Sequence, residues 1–397
     1  MSTSWRTDKR ILVTESHATG SVAAIRSLGA AGYTVIAVSP KADALGFLSR
    51  FASRSLVHPP YHEQTAYLDW LAATVATEGI DLIVPSEAFL LAIRPAFERY
   101  QGLLAGATSP QQIYSGLSKY DLFKTCEDAG LTDHLPPYLL LDADRPLPSS
   151  DALARLGSPL FIKVDAPHSR SGKEGGQVIR CTQVSDALAH LATLYRDYRY
   201  VLVQGFVSGI GVGAFLARLD GQPLARFMHR RLHEVPHTGG ASSFRASWHH
   251  AGVMADAEAL MDALGWHGVG MFEYRWNPAD DTFYLMEFNA RFWGSLHLAL
   301  FAGVDFPRLL ADAFFGRPNP PVLTYRDTRC RLTFPRDLEY VLSCLKDKAL
   351  PPSRRFWPVA EFFLLGLDPR VCSDMNFPGD RRLYLHAMWR TVGKFLQ

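Results

Sequence analysis

Glu287, Asn289 and Arg291 occupy alternate positions in "YLMEFNARFWGS", residues 284–295. On a β-strand, alternate side chains share a face. One face would then carry an acid, an amide and a base in line, and the other the apolar set Met286, Phe288 and Ala290. Upstream, "MFEYRWNPADDTF" places a turn signal at 277–281 between two strand-like runs, 271–276 and 283–291. A turn centred on Ala279 or Asp280 sets Glu273 on the face of Glu287, whereas a slip of one residue would not. Two carboxylates and an amide oxygen suit Mg²⁺, a hard cation usually shared with phosphates. A merely solvated sheet edge explains Glu287 and Asn289 equally well, but it is the poorer account once Glu273 and Arg291 are added.

Other stretches could also meet an anion. Lys163 sits near the end of an apolar run, "PLFIKVD", just before the Gly/Ser-rich loop "HSRSGKEGG" (168–176) with Ser171, Gly172, Gly175 and Gly176. A lone lysine there is poorly explained as core, and backbone amides of such a loop can fold over phosphates. Further on, "RFMHRRLHEVPHTGGASS" carries His229, His233 and His237 at spacings of four, a zinc stripe if the segment were helical. Pro236 and the flanking hairpin pattern make it extended instead. On a strand Arg230 and Arg231 alternate faces, so only one of them enters a site. "TGGASS" offers amides and hydroxyls suited to a substrate carboxylate.

The elements that must position these groups change in kind along the chain. "RILVTESHATGSVAAIRSLGAAGYTVIAVSP" reads as strand, turn, helix, strand; 65–77 reads as helix and "IDLIVPSE" as a buried strand. That alternation argues for a parallel α/β sheet. Its first turn lacks the G-x-G-x-x-G spacing of a dinucleotide site. "LSKYDLFKTCEDAG" is an amphipathic helix with Gly130 as its C-cap. From "YVLVQG" to "FMHRR" the pattern is strand, turn, long strand, a tight turn at Asp220-Gly221, and strand, which is hairpin chemistry. "LPPSRRFWP" reads as a connector, followed by a mixed helical tail.

With 397 residues, 48% hydrophobic and 20% charged, the chain is long enough for two or three domains of a soluble globular protein. A net charge of +2 and no basic run give no electrostatic argument for nucleic acid. The five scattered cysteines lack a CxxC pair, which fits a reducing cytoplasmic compartment and no disulfide framework. No signal peptide is visible, and no apolar run approaches the ~20 residues of a membrane span.

"MFEYRWNPADDTFYLMEFNARFWGS" resembles the metal-binding hairpin of ATP-grasp enzymes, the group that includes biotin carboxylase, carbamoyl-phosphate synthetase and D-alanine–D-alanine ligase. The resemblance extends over roughly residues 119–303. It implies that Glu273, Glu287 and Asn289 bind the Mg²⁺ ions (Mn²⁺ as an alternative) that bridge the phosphates of ATP. Arg291 would contact the reacting phosphate, with Arg230 or Arg231 as a further basic group facing the phosphates or acyl substrate. Lys119, with Lys124 as runner-up, and Lys163 match the two phosphate-binding lysines. The loop with Ser171, Gly172, Gly175 and Gly176 matches the lid. "VLVQGFVSG" matches the hinge that reads adenine, with Gln204 where many members have Glu, flanked by Phe206 and Val207. "GIGVG" replaces the acid expected near the ribose. A Rossmann-like N-terminal domain would help to form the acceptor cleft, with the tips at 14–19 and 85–87 facing it; Glu87 would be placed to touch a substrate amine, although an N-cap or turn acid is the better account of it.

The expected architecture is α/β and α+β: a Rossmann-like domain (1–107), a helical linker (108–134), a lid subdomain (135–205), a larger antiparallel-sheet subdomain with the metal site (206–325) and a C-terminal extension (326–397). The expected activity is formation of an amide from a small carboxylic acid and an amine or amino acid through an acyl phosphate. No nucleic acid or membrane partner is expected, and a homodimer is left open. The rival readings are carboxylation through carboxyphosphate, a non-catalytic nucleotide-binding protein and, more distantly, a NAD-dependent oxidoreductase.

Overall fold

The computed structural model describes residues 4–170, 172 and 175–395. Four short strands, β1 (Arg10–Val13), β2 (Thr34–Ser39), β3 (Arg54–Val57) and β4 (Leu82–Val84), form a parallel sheet in the order β3-β2-β1-β4. β1 and β2 are almost wholly buried, which is why they read as unbroken apolar runs and not as alternation. The helix Thr19–Ala30 crosses between them.

The second sheet is antiparallel, in the order β5-β8-β6-β7, from β5 (Tyr138–Asp142), β6 (Leu160–Val164), β7 (Gln177–Cys181) and β8 (Tyr200–Gly205). One face is covered by the helix Val184–Asp197, which buries Ala187, Leu191 and Leu194 at helical spacing.

The third sheet has seven strands in the order β13-β12-β9-β10-β11-β14-β15. They are β9 (Ile210–Leu219), β10 (Gln222–Val235), β11 (Ala241–Ser247), β12 (Gly268–Trp276), β13 (Phe283–Asn289), β14 (Arg329–Arg331) and β15 (Val371–Ser373). Asp220 and Gly221, both at positive φ (49° and 76°), close the β9–β10 hairpin as a two-residue turn. Apolar clusters run from the first sheet into the third: Leu12 and Ile36 share one with Phe272 and Phe288. Val13 and Val35 share another with Phe215 and Trp293.

Residues 326–397 supply β14 and β15, which complete the large sheet, and Asp374 and Asp380, which pair with buried arginines. One expectation for this part is corrected. "LPPSRRFWP" is not a connector: most of it belongs to the helix Pro352–Leu367. A proline at the first helical position loses no intrahelical bond, so the proline pair marks a helix start. Among the described residues no helix is long and apolar enough to cross a membrane.

Candidate active site

β12 and β13 pair antiparallel, with Glu273 directly opposite Glu287 and Met271 opposite Asn289. The register is not uniform. Near the turn Trp276 faces Phe283 and Tyr274 faces Leu285; continued unbroken, that register would set Met286 against Glu273. A bulge at Met286 inserts the extra residue and brings Glu287 opposite Glu273 instead. Met286 therefore leaves the apolar face on which it was expected and lines the cleft, its Sδ 3.5 Å from Gln204 Nε2. Leu285, Phe288 and Ala290 are the buried set that anchors the strand.

Like charges directly opposite on paired strands repel, and the surroundings resolve the conflict unequally. Burial pushes the Glu273 carboxyl up; Arg231, ion-paired with it, works against this, and Glu287 adds to it. Burial also disfavours the Glu287 carboxylate, but Lys119, a hydrogen bond from Asn289 Nδ2 (3.1 Å) and Lys163 outweigh it and hold its pKa low.

Lys119 opens the helix Lys119–Ala129, capped by Ser118 and closed by Gly130 in the left-handed conformation. Its backbone N–H donates to Asp165 Oδ2 (2.7 Å), and its ammonium lies 3.2 Å from Asp165 and 3.6 Å from Glu287. Burial opposes that charge, but the two acids raise its pKa above the ordinary lysine value. Lys163 is on β6 and donates to Gln204 Oε1 on β8 (2.5 Å). Burial, reinforced by Lys119, lowers its pKa to about 8. Lys124 instead pairs with Glu127 and Asp128 on the helix surface.

Lys119, Lys163, Gln204, Glu273 and Glu287 line one cleft of about 1430 Å³, together with Phe206, Val207, Arg231, Asn289 and Arg291. The N-terminal part reaches it through Thr19, and Glu87 approaches Arg291 Nε at 3.6 Å. Glu87 is not the cap of its helix: the Ser86 hydroxyl is, accepting from Phe89 N–H. Gly172, Gly175 and Gly176 follow β6 but are not among the residues that line the cleft. Gly176 approaches the Val164 carbonyl so closely that a Cβ would lie 2.6 Å from it. Ser171 lies outside the described residues.

Arg230 is corrected: it is exposed, on the opposite face of β10, while Arg231 enters the cleft. The three histidines also go separate ways. His229 faces the cleft, His233 bonds Asp337 and stacks on Tyr340, and His237 bonds Asp347 and Ser343. No group of three or more His, Cys, Asp or Glu side chains that could hold a metal is found among the described residues.

The floor beside the hairpin explains "GIGVG". Gly211 and Gly213, on β9, pair with Arg275 and Glu273 on β12. A Cβ on Gly211 would lie 2.7 Å from Arg231 Cδ and 2.6 Å from Glu234 Oε1. The missing side chain lets Arg231, on β10, reach across β9 to Glu273. Sequence reading missed Asp165, Arg245 and the cleft face of His229 and Trp293. The i, i+2 spacing of His229 and Arg231 on one strand was the available signal for His229; for Arg245 there was none.

The donor set fits a hard cation: two opposed carboxylates and a side-chain amide that line one open cleft. The model for a family described as "ATP-grasp in the biosynthetic pathway with Ter operon" matches residues 225–333, which include the hairpin. No curated protein matches the sequence. Among solved structures, the chain is similar to an L-amino acid ligase from Bacillus licheniformis, at 15% identity and TM-score 0.57, covering 77% of this chain and 74% of that one. It is also similar to N5-carboxyaminoimidazole synthetase from Staphylococcus aureus (15%, TM-score 0.60, 81% of each chain). A third likeness is to the biotin carboxylase domain of Hydrogenobacter thermophilus 2-oxoglutarate carboxylase, solved with MgADP and bicarbonate (14%, TM-score 0.59, 79% and 71%). Three sheets in this arrangement and the likeness to these structures give the chain the ATP-grasp fold, and the family-model match falls on the stretch that carries the E-x-N-x-R hairpin.

Proposed function

We propose that this protein is an ATP-dependent ligase that joins a small carboxylic acid to an amine. The observation that carries the reading is the convergence of Glu273, Glu287 and Asn289 with Lys119, Lys163, Arg231 and Arg291 in one cleft. In this reading Glu273, Glu287 and Asn289 hold Mg²⁺ or Mn²⁺, which when bound supplies charge neutralisation on the phosphates. Lys119 and Lys163 orient the phosphates; Gln204, Phe206 and Val207 receive the adenine end; the loop with Gly172, Gly175 and Gly176 covers the nucleotide. A substrate carboxylate oxygen attacks the γ-phosphorus and ADP leaves. The amine nitrogen then attacks the acyl carbon, phosphate departs, and the amine gives up a proton. Arg291, with Arg231 beside it, offsets the charge that builds on the transferred group. The division at 107, 134 and 205 into N-terminal, linker, lid and metal-binding parts belongs to the same proposal.

The test is ADP release over a matrix of carboxylic acids and amines, with hydroxylamine as a general acyl trap. Glu287→Ala should lower turnover at least about 100-fold. Full activity in that variant would remove the metal assignment, and absence of ADP release across the matrix would remove the ligase reading. Turnover with bicarbonate as the only acid would move the reaction to carboxylation.

A further inference from the structure

We infer that the acid taken by this protein has two oxygen-bearing ends, one activated beside Arg291 and the other, a carboxylate or carboxamide, held by Trp293, His229 and Arg245. The inference rests on the ligase reading and adds the class of substrate.

All three side chains are deeply buried, at 2%, 1% and 1% exposure, yet line the same cleft as Glu287. Each has one ring or guanidinium nitrogen with no hydrogen-bond partner among the described residues: Trp293 Nε1, His229 Nε2 and Arg245 Nε. Native interiors rarely leave such atoms unpaired, and three of them on side chains that line one cleft mark a place built to receive something. Their chemistry says what. Indole and guanidinium nitrogens only donate. His229 Nδ1 lies 3.3 Å from Ser295 Oγ; a hydroxyl donating there leaves the ring proton on Nε2. Burial, then Arg231 and Arg245, keep this ring neutral. Three donors facing no acceptor call for an oxygen that accepts, not for an ammonium or an alkyl group.

The placement separates this end from the reacting one. His229 pairs with Gly213, and Gly213 with Glu273 on its other side. Two strand spacings, ~10 Å, therefore lie between the carboxylate pair and His229, with no side chain on the glycine between. Phe215 packs against both the His229 and Trp293 rings (centroids 4.8 and 4.3 Å) and fixes their positions. The Arg245 charge is matched by Asp374, so what remains to offer is the hydrogen bond at Nε.

The experiment measures ADP release with hydroxylamine as the amine. It compares butyrate with succinate and succinamate, and pentanoate with glutarate and glutaramate. A two-ended acid should exceed its one-ended counterpart in kcat/KM by at least about tenfold; the carboxylate and carboxamide arms tell which end is preferred. Trp293→Phe keeps an aromatic ring, though a smaller one, and deletes the N–H, and should shrink that ratio toward one, with His229→Asn as the second variant. Equal rates for one- and two-ended acids, or a ratio unchanged in both variants, would overturn the inference while leaving the ligase reading standing. Absence of ADP release with every acid would overturn both.

Discussion

Lys163 shows how one side chain can be costly for the fold and useful for the site. Its pKa falls from the ordinary 10.5 to about 8, so below pH 8 the folded protein holds a buried ammonium at a cost on the order of 3 kcal/mol. Between pH 8 and 10.5 the unfolded chain binds a proton that the folded one does not, so that cost fades as pH rises. Lys163→Met should therefore be more stable than the native protein at pH 7 by urea titration, with the advantage shrinking through pH 8–10.5. The same variant should bind ATP at least about tenfold more weakly by calorimetry. An equal stability difference at both ends of that range would contradict the assigned shift. At this scale the sequence was most legible: Glu273, Glu287, Asn289 and Arg291 announce themselves by type and spacing. Arg230 and Arg231 could not be separated, because strand parity gives two faces without saying which is the cleft.

At the scale of elements, two single-residue features set the geometry: the bulge at Met286 and the absent side chain at Gly211. Replacing Gly211 with alanine would push a methyl into Arg231 and Glu234 and break the reach to Glu273. Such overpacking costs ~1–3 kcal/mol, measurable by urea denaturation, and Gly211→Ala should lower ATP turnover together with stability. Wild-type stability in Gly211→Ala would mean that Arg231 can reposition freely. The hairpin was legible from its turn residues and alternation. Its bulge was not, because an alternating pattern written on one strand carries no information about a one-residue slip against the neighbour. The large sheet's last two strands were missed for a related reason: three residues each is too short a run for any periodicity.

Across the whole molecule, the two ends of the chain are joined by buried charge. Arg26, fully buried in the helix Thr19–Ala30, bonds Asp380, the carbonyls of Asp374 and Met375, and His297. Asp374 in turn pairs with Arg245. Removing one member of such a pair strands the other in the interior, so Asp374→Asn should cost ~3–5 kcal/mol in urea unfolding; a loss under ~1 kcal/mol would show that water reaches Arg245. None of this was legible beforehand, because Arg26 and Asp380 are ordinary surface residue types 354 positions apart. That separation also orders events in time. A ribosome adds about 5–20 residues each second, so roughly 20–70 s pass between the synthesis of Arg26 and that of its carboxylate. Throughout that interval the first sheet can form, but the guanidinium on its helix has no counter-charge to bury against. The nascent N-terminal sheet must wait, with that helix face held in water, for a carboxylate that follows β15.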